Sequence, residues 1–350
     1  MGSVNTLSHE RDLLVALLAA LQDPVRATEL PAHDPALTVV ARHHRLTPLL
    51  SITCSSFLPA PLADLFRHDR IVTAARNMVF EQVSEECIRA LRAAGVRTIL
   101  LKGLDYATRL YHGQPGARPT ADVDLLVPNE ARRAAFQVLD RLGFEPRACA
   151  PGFDEPDYHE VAWRRGDVEV DLHMALVPFA RCRIDYPSIW SEARPFSVGE
   201  TEALALAPLH AAIFQSVHMG VDHFAVPAIY LVDLARLLPD ATALREAEAT
   251  AAKWRCHAPF ITATGLVAAF LPGWPPASAV ARLPLRSRRV IDSYGPARSL
   301  PRPEQLLRKL VHFDSLTGML RYLAVQSRRN LRERVDLRIR HQTVRQRLSL

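Results

Sequence analysis

Long apolar runs are missing from this 350-residue chain: none reaches the ~18 residues that a membrane span requires. The N-terminus also lacks the basic-then-apolar order of a secretory signal. The sequence therefore predicts a soluble, cytoplasmic protein with no membrane span. Paired cysteines are missing too. Cys54, Cys87, Cys149, Cys182 and Cys256 are far apart and form no C-x-x-C, which argues against a zinc site or a disulfide framework. Small buried side chains in a reducing compartment are the expectation. Lysine accounts for only three of the 43 Lys and Arg residues, at Lys102, Lys253 and Lys309. There is no internal repeat and no low-complexity tract.

What is present is the material of a folded protein. Apolar content of 49% with 23% charged residues falls in the range of globular chains, and the length allows two domains with good cores. The charge is uneven. Residues 321–350 carry nine arginines against Glu333 and Asp336, a net +7, so the formal +6 of the chain leaves residues 1–320 near −1. Such a tail suits contact with nucleic acid or a membrane surface. Leu331, Val335 and Ile339 recur at helical spacing, so a helix docked on the protein itself is the plainer expectation. No aromatic residue follows Tyr322, which excludes base stacking by the tail.

Read in order, residues 1–95 predict a helical cap: helices over 9–22, 35–52 and 62–94, the last ending at Gly95. Residues 96–177 predict a small α/β core. Strand 96–102 leads into helix 104–111, then strand 121–127, then helix 130–141 with Asn129 as its cap. A strand near 144–149 and a hairpin of 158–164 with 168–173 follow, turning at Arg165-Gly-Asp167. Residues 178–350 read almost wholly as helix, the clearest pieces being 205–219, 226–238, 241–255, 257–271 and 303–325. The fold class expected is α+β, a small mixed sheet between two helical parts.

The chemistry concentrates in Thr120-Ala-Asp-Val-Asp-Leu-Leu-Val127. Val123, Leu125 and Val127 alternate with Asp122, Asp124 and Leu126, so the carboxylates share one face of a strand, about 6.6 Å apart at the ~3.3 Å rise per residue. Like charges held side by side repel unless a cation lies between them. In Val168-Glu-Val-Asp-Leu-His173, Glu169, Asp171 and His173 likewise share a face. If that strand lies beside 121–127, Asp171 completes a three-carboxylate set of the kind that holds Mg²⁺ together with phosphates and water. Upstream, Lys102-Gly103 closes a buried strand just before a helix, a place where free backbone N–H groups receive an anion. His173 is a candidate partner of a carboxylate. Glu169 reads as a neighbour or a surface charge. His210, His218 and His223, with Asp233, read as helix packing or acceptor binding ahead of metal ligation.

Together, Lys102-Gly103, Arg118-x-x-x-Asp122-Val-Asp124-Leu-Leu-Val127 and Val170-Asp-Leu-His173 resemble the polymerase-β-like nucleotidyltransferase superfamily. The similarity is sharpest to a bacterial branch carrying Leu-Lys-Gly and Arg-x-x-x-Asp-x-Asp-Leu-Leu-Val. The resemblance implies that Asp122, Asp124 and Asp171 bind Mg²⁺ (or Mn²⁺) and carry catalysis. It also implies that Lys102, Gly103 and Arg118 hold the triphosphate, with His173 beside them. The implied reaction moves a nucleoside monophosphate from an NTP, expected to be ATP, to an acceptor, with release of pyrophosphate. Most of that superfamily has Gly-Gly or Gly-Ser where this chain has Gly103-Leu104, which leaves Lys102 to stand in for the serine hydroxyl. The alternative is a nucleotide- or RNA-binding protein without catalysis on the same fold.

Overall fold

The computed structural model describes residues 2–147, 159–178, 181–274 and 283–294, with scattered positions from 313 to 327. The arginine-rich tail beyond 327, Cys149, Tyr158 and most of the helix expected over 303–325 lie outside the described residues. The N-terminal part is helical: α1 (Gly2–Gln22), α2 (Pro35–His43), α3 (Thr47–Thr53) and α4 (Ala60–Ala93). The single helix predicted over 35–52 is two helices. Arg45, at φ 57°, ends the first, and Pro48 in the first turn of the second has no N–H to continue it. Asp34 caps α2 by accepting from the Ala36 amide at 2.9 Å.

The α/β part holds β1 (Ile99–Leu100), α5 (Lys102–Arg109), β2 (Val123–Leu126), α6 (Arg132–Arg141), β3 (Glu145–Pro146), β4 (Glu160–Arg165) and β5 (Val168–His173). After these come α7 (Tyr186–Ser191), β6 (Arg194–Val198) and β7 (Thr201–Ala205). The remaining helices are α8 (Pro208–Val221), α9 (Ile229–Leu237), α10 (Ala241–Lys253), α11 (His257–Phe270) and α12 (Leu285–Asp292). Among the described residues, seven strands form one mixed sheet in the order β3-β4-β5-β2-β1-β7-β6. β5 runs parallel to β2 and β7 parallel to β1, and the other neighbours are antiparallel. The hairpin β6–β7 is a departure from the helical reading of everything past 178: β6 is a mostly exposed edge strand, and β7, although it alternates in burial, is Thr-Glu-Ala-Leu-Ala, rich in good helix formers.

The alternation of the strands sorts the core into two layers. Leu100, Val123, Leu125, Val127, Val161, Trp163, Val170 and Leu172 point to one face and pack with Phe80, Cys87 and Leu91 of α4 and Val138 and Leu139 of α6. Ile99, Leu101 and Leu126 point to the other face and join a larger core shared by α1, α2, α3, α8, α9, α10 and α11. The carboxylates of β2 and β5 face this second side, between the sheet and the helical body.

Candidate active site

Three backbone facts assemble the site. First, β2 and β5 are parallel with Asp124 directly opposite Asp171. Asp122, two residues before Asp124, lies on the same face, and one ligand oxygen from each of the three carboxylates falls within 4.8 Å of the others. Second, the antiparallel pairing in the β4–β5 hairpin sets Glu160 opposite His173. Third, the chain turns sharply out of β1: Lys102 has φ 23° and Gly103 has φ 42°, both in the left-handed half of backbone space. A Cβ at Gly103 would stand 3.2 Å from the Thr120 methyl and 3.6 Å from the Asp122 carbonyl. Glycine thus lets the turn lie against the start of β2. The Leu101 amide, donating to the Asp124 carbonyl at 2.9 Å, fastens the turn there.

Asp124 is the centre. Its Oδ1 lies 3.1 Å from Lys102 Nζ and 3.1 Å from His173 Nε2, and all three side chains are almost wholly buried. Its Oδ2 is buried and has no hydrogen-bond partner among the described residues. Burial alone would raise the Asp124 carboxyl, yet Lys102 and His173 hold it well below the usual range. The two other carboxyls move the opposite way: burial and the neighbouring Asp124 charge push Asp122 up to about 6 and Asp171 up to about 7. His173 is raised in spite of burial, by its bond to Asp124 and by Glu160, whose Oε2 lies 3.4 Å from Nδ1. On the helical side, His218 Nε2 stands 3.4 Å from Lys102 Nζ and 3.5 Å from Asp222 Oδ2. Burial and the adjacent ammonium push His218 down to about 3, so it is neutral and can accept from the lysine.

Of the residues singled out in the sequence, the structure brings together Asp122, Asp124, Asp171, Lys102, Gly103 and His173. Arg118 stands apart from that group. Its guanidinium is buried behind the turn, donating to both Asp233 carboxylate oxygens (2.9 to 3.3 Å) and to the carbonyls of Gly103 (3.2 Å) and Pro119 (3.3 Å). The guanidinium expected to meet the triphosphate is engaged in this structure by Asp233 and the carbonyls of the turn, as a buried guanidinium is drawn to a buried carboxylate. Tyr111 completes the cluster by donating to Asp233 Oδ1 at 2.8 Å. Sequence reading passed over Asp233 as a partner of Arg118. The available signal was one carboxylate inside the apolar run Leu231-Val-Asp-Leu, a position that demands a buried donor. The hairpin register that puts Glu160 on the face of Asp171 was readable from the turn, whereas Asp222 and Tyr230 were missed as site neighbours, since only packing brings α8 and α9 over the sheet. Of the histidines, His218 reaches the site, whereas His210 lies against Trp254 and 3.8 Å from Glu192. Glu169 pairs with Arg147 at the surface. Among the described residues the three aspartates are the one set with metal-ligating spacing.

A mixed sheet presenting paired strand carboxylates beside a strand–glycine–helix turn defines a protein of the nucleotidyltransferase class. More particularly, the chain belongs to the family described as "Uncharacterised nucleotidyltransferase", whose profile matches residues 31–272. Among solved structures, one that is similar is the crystal structure of an antigenic nucleotidyltransferase-like protein from Paracoccidioides brasiliensis. It is 16% identical, with 50% of this chain and 87% of that one covered and a TM-score of 0.32. No curated protein sequence matches the chain.

Proposed function

We propose that the protein transfers a nucleoside monophosphate from an NTP, with ATP the first candidate, to an acceptor hydroxyl or phosphate, releasing pyrophosphate. The observation that carries this reading is the in-register pair Asp124–Asp171 with Asp122 beside it, one of its oxygens buried and unpartnered. An all-carboxylate donor set suits a hard cation of the Mg²⁺ or Mn²⁺ type. Asp122, Asp124 and Asp171 would hold it, and when bound it supplies charge neutralisation at the triphosphate and acidifies an acceptor hydroxyl.

The chain's own residues account for the rest. The turn at Lys102-Gly103 offers backbone N–H groups and an ammonium for the phosphates. Arg118, clamped by Asp233, fixes the Gly103 carbonyl and so the turn. His173 keeps Asp124 ionised and oriented. Asp171, in register with Asp124, is the carboxylate proposed to take the acceptor's proton. As that oxygen bonds to the α-phosphorus, the bond from that phosphorus to the bridging oxygen breaks and pyrophosphate leaves. Acceptor space lies between the sheet and the helical body, where Glu160, His218, Asp222 and Tyr230 border the carboxylates.

The test is incubation with α-labelled NTPs, Mg²⁺ or Mn²⁺, and pools of small metabolites, peptides and RNA. Label transfer with pyrophosphate release, lowered at least ~100-fold in Asp124→Asn, is expected. A second reading, nucleotide or RNA binding without catalysis, is favoured by Leu104, which is buried in the apolar core and offers no hydroxyl. NTP binding with no pyrophosphate release from any pool would establish that reading instead.

A further inference from the structure

Lys102 is in an unusual place for a phosphate-binding lysine. Its ammonium is buried and sits 3.1 Å from Asp124 Oδ1, inside the carboxylate cluster rather than out in the cleft. The lysine backbone itself is held at φ 23°, a conformation that side chains other than glycine rarely adopt, so the turn is shaped to aim this chain inward. Asp122, Asp124, Asp171 and Glu160 would otherwise face one another with His173 as the near partner of Asp124 and His159 lying 3.6 Å from Glu160. The ammonium has a second partner in reach, the His218 Nε2 atom at 3.4 Å on the side of the helical body.

We propose that Lys102 is an internal counter-ion that neutralises Asp124 from Oδ1 and is displaced toward His218 and the nucleotide phosphates when a divalent cation enters. The inference rests on the reading of the aspartates as a divalent-cation site. A divalent cation taken up at the unpartnered Asp124 Oδ2 and the facing carboxylates comes within a few ångström of the ammonium on Oδ1, and like charges that close repel. Entry of the metal therefore weakens the hold of Asp124 on Lys102, and a bound triphosphate supplies a new partner. Cation and nucleotide consequently bind with positive coupling, each favouring the other.

The test uses the full chain and Mn²⁺ alone, with free Mn²⁺ read by electron paramagnetic resonance. Lys102→Met is expected to bind Mn²⁺ at least about tenfold more tightly than the wild type, since a competing charge is gone. His173 still donates to Asp124 in that variant, so the carboxylate keeps one partner. Equal or weaker Mn²⁺ binding by Lys102→Met overturns the proposal while leaving the metal site standing. No saturable Mn²⁺ binding by either protein, or binding left unchanged in Asp124→Asn, overturns the site reading itself and the proposal with it. A measurement on the wild type needs no variant: acylation of lysine amines followed by mass spectrometry, with the exposed Lys253 as internal reference. Mn²⁺ should raise the acylation rate of Lys102 relative to Lys253, and an unchanged ratio overturns the displacement.

Discussion

At the scale of single residues, the site is a contest between burial and charge. Asp122 and Asp171 stand well above their ordinary 3.8 because burial and a permanently ionised Asp124 oppose their ionisation. The sign of the consequence follows from which state binds more protons. Below the ordinary carboxylate range both folded and unfolded chains are protonated at these positions. As pH rises toward about 7, the unfolded chain gives up these protons first, so the metal-free protein loses stability across that window. A divalent cation needs the ionised forms, so its affinity climbs over the same window. The buried His44 and His218, both pushed down to about 3, act in the opposite direction over this window, so the test is a difference between proteins. Without metal, the melting temperature of the wild type relative to Asp171→Asn should fall toward neutrality, and added Mn²⁺ should restore the wild type increasingly as pH rises. A difference that rises toward neutrality without metal would contradict these assignments.

At the scale of elements, the site depends on how tightly a loop and a helix hold the turn at Lys102-Gly103. Gly116 sits at φ 72° with α4 pressed on it: a Cβ there would be 2.3 Å from the Arg70 carbonyl and 2.9 Å from the Ala74 amide nitrogen. Asn77, one turn along α4, donates to the Arg118 carbonyl at 2.9 Å and accepts from the Thr120 amide at 3.2 Å. Gly113 has nearly the same φ, 64°, and open space around it. Comparing the two separates backbone strain from close packing. Gly113→Ala should cost about 1 kcal/mol and Gly116→Ala about 3 kcal/mol or more, read from urea midpoints. Arg118 and Asp233 tie α9 to the same turn. Asp233→Ala leaves a buried guanidinium unpaired and should cost about 3–5 kcal/mol, while Asp233→Ala with Arg118→Met should recover much of it. If the double variant is no more stable than the single one, the pair is not the dominant contact.

At the scale of the whole molecule, the parts read from sequence share their interior. One apolar core runs from Leu14 and Leu17 of α1 through Leu126 of β2 to Phe214 of α8 and Phe260 of α11. The helices on both sides of the α/β segment therefore cover the face of the sheet that bears the carboxylates. A fragment of residues 96–177 would expose that face and would lack β7, the parallel neighbour of β1. It should show no cooperative thermal transition by circular dichroism, whereas the full chain should unfold in one. No helix among the described residues is long and apolar enough to cross a membrane.

Strand alternation alone determined that Asp122, Asp124, Asp171 and His173 would share faces, because side chains on a pleated backbone point to opposite sides in turn. The helical runs were legible for the same reason, their apolar periods being long and the end of α4 marked by Gly95. Which strands lie side by side is a matter of long-range pairing, which local pattern does not encode. Only the folded chain set Asp124 against Asp171, carried β7 across to β1, and brought His218 over the sheet. Burial then decided the roles of the charges: it turned Arg118 toward Asp233 and Lys102 toward Asp124, since an ion removed from water takes the nearest opposite charge.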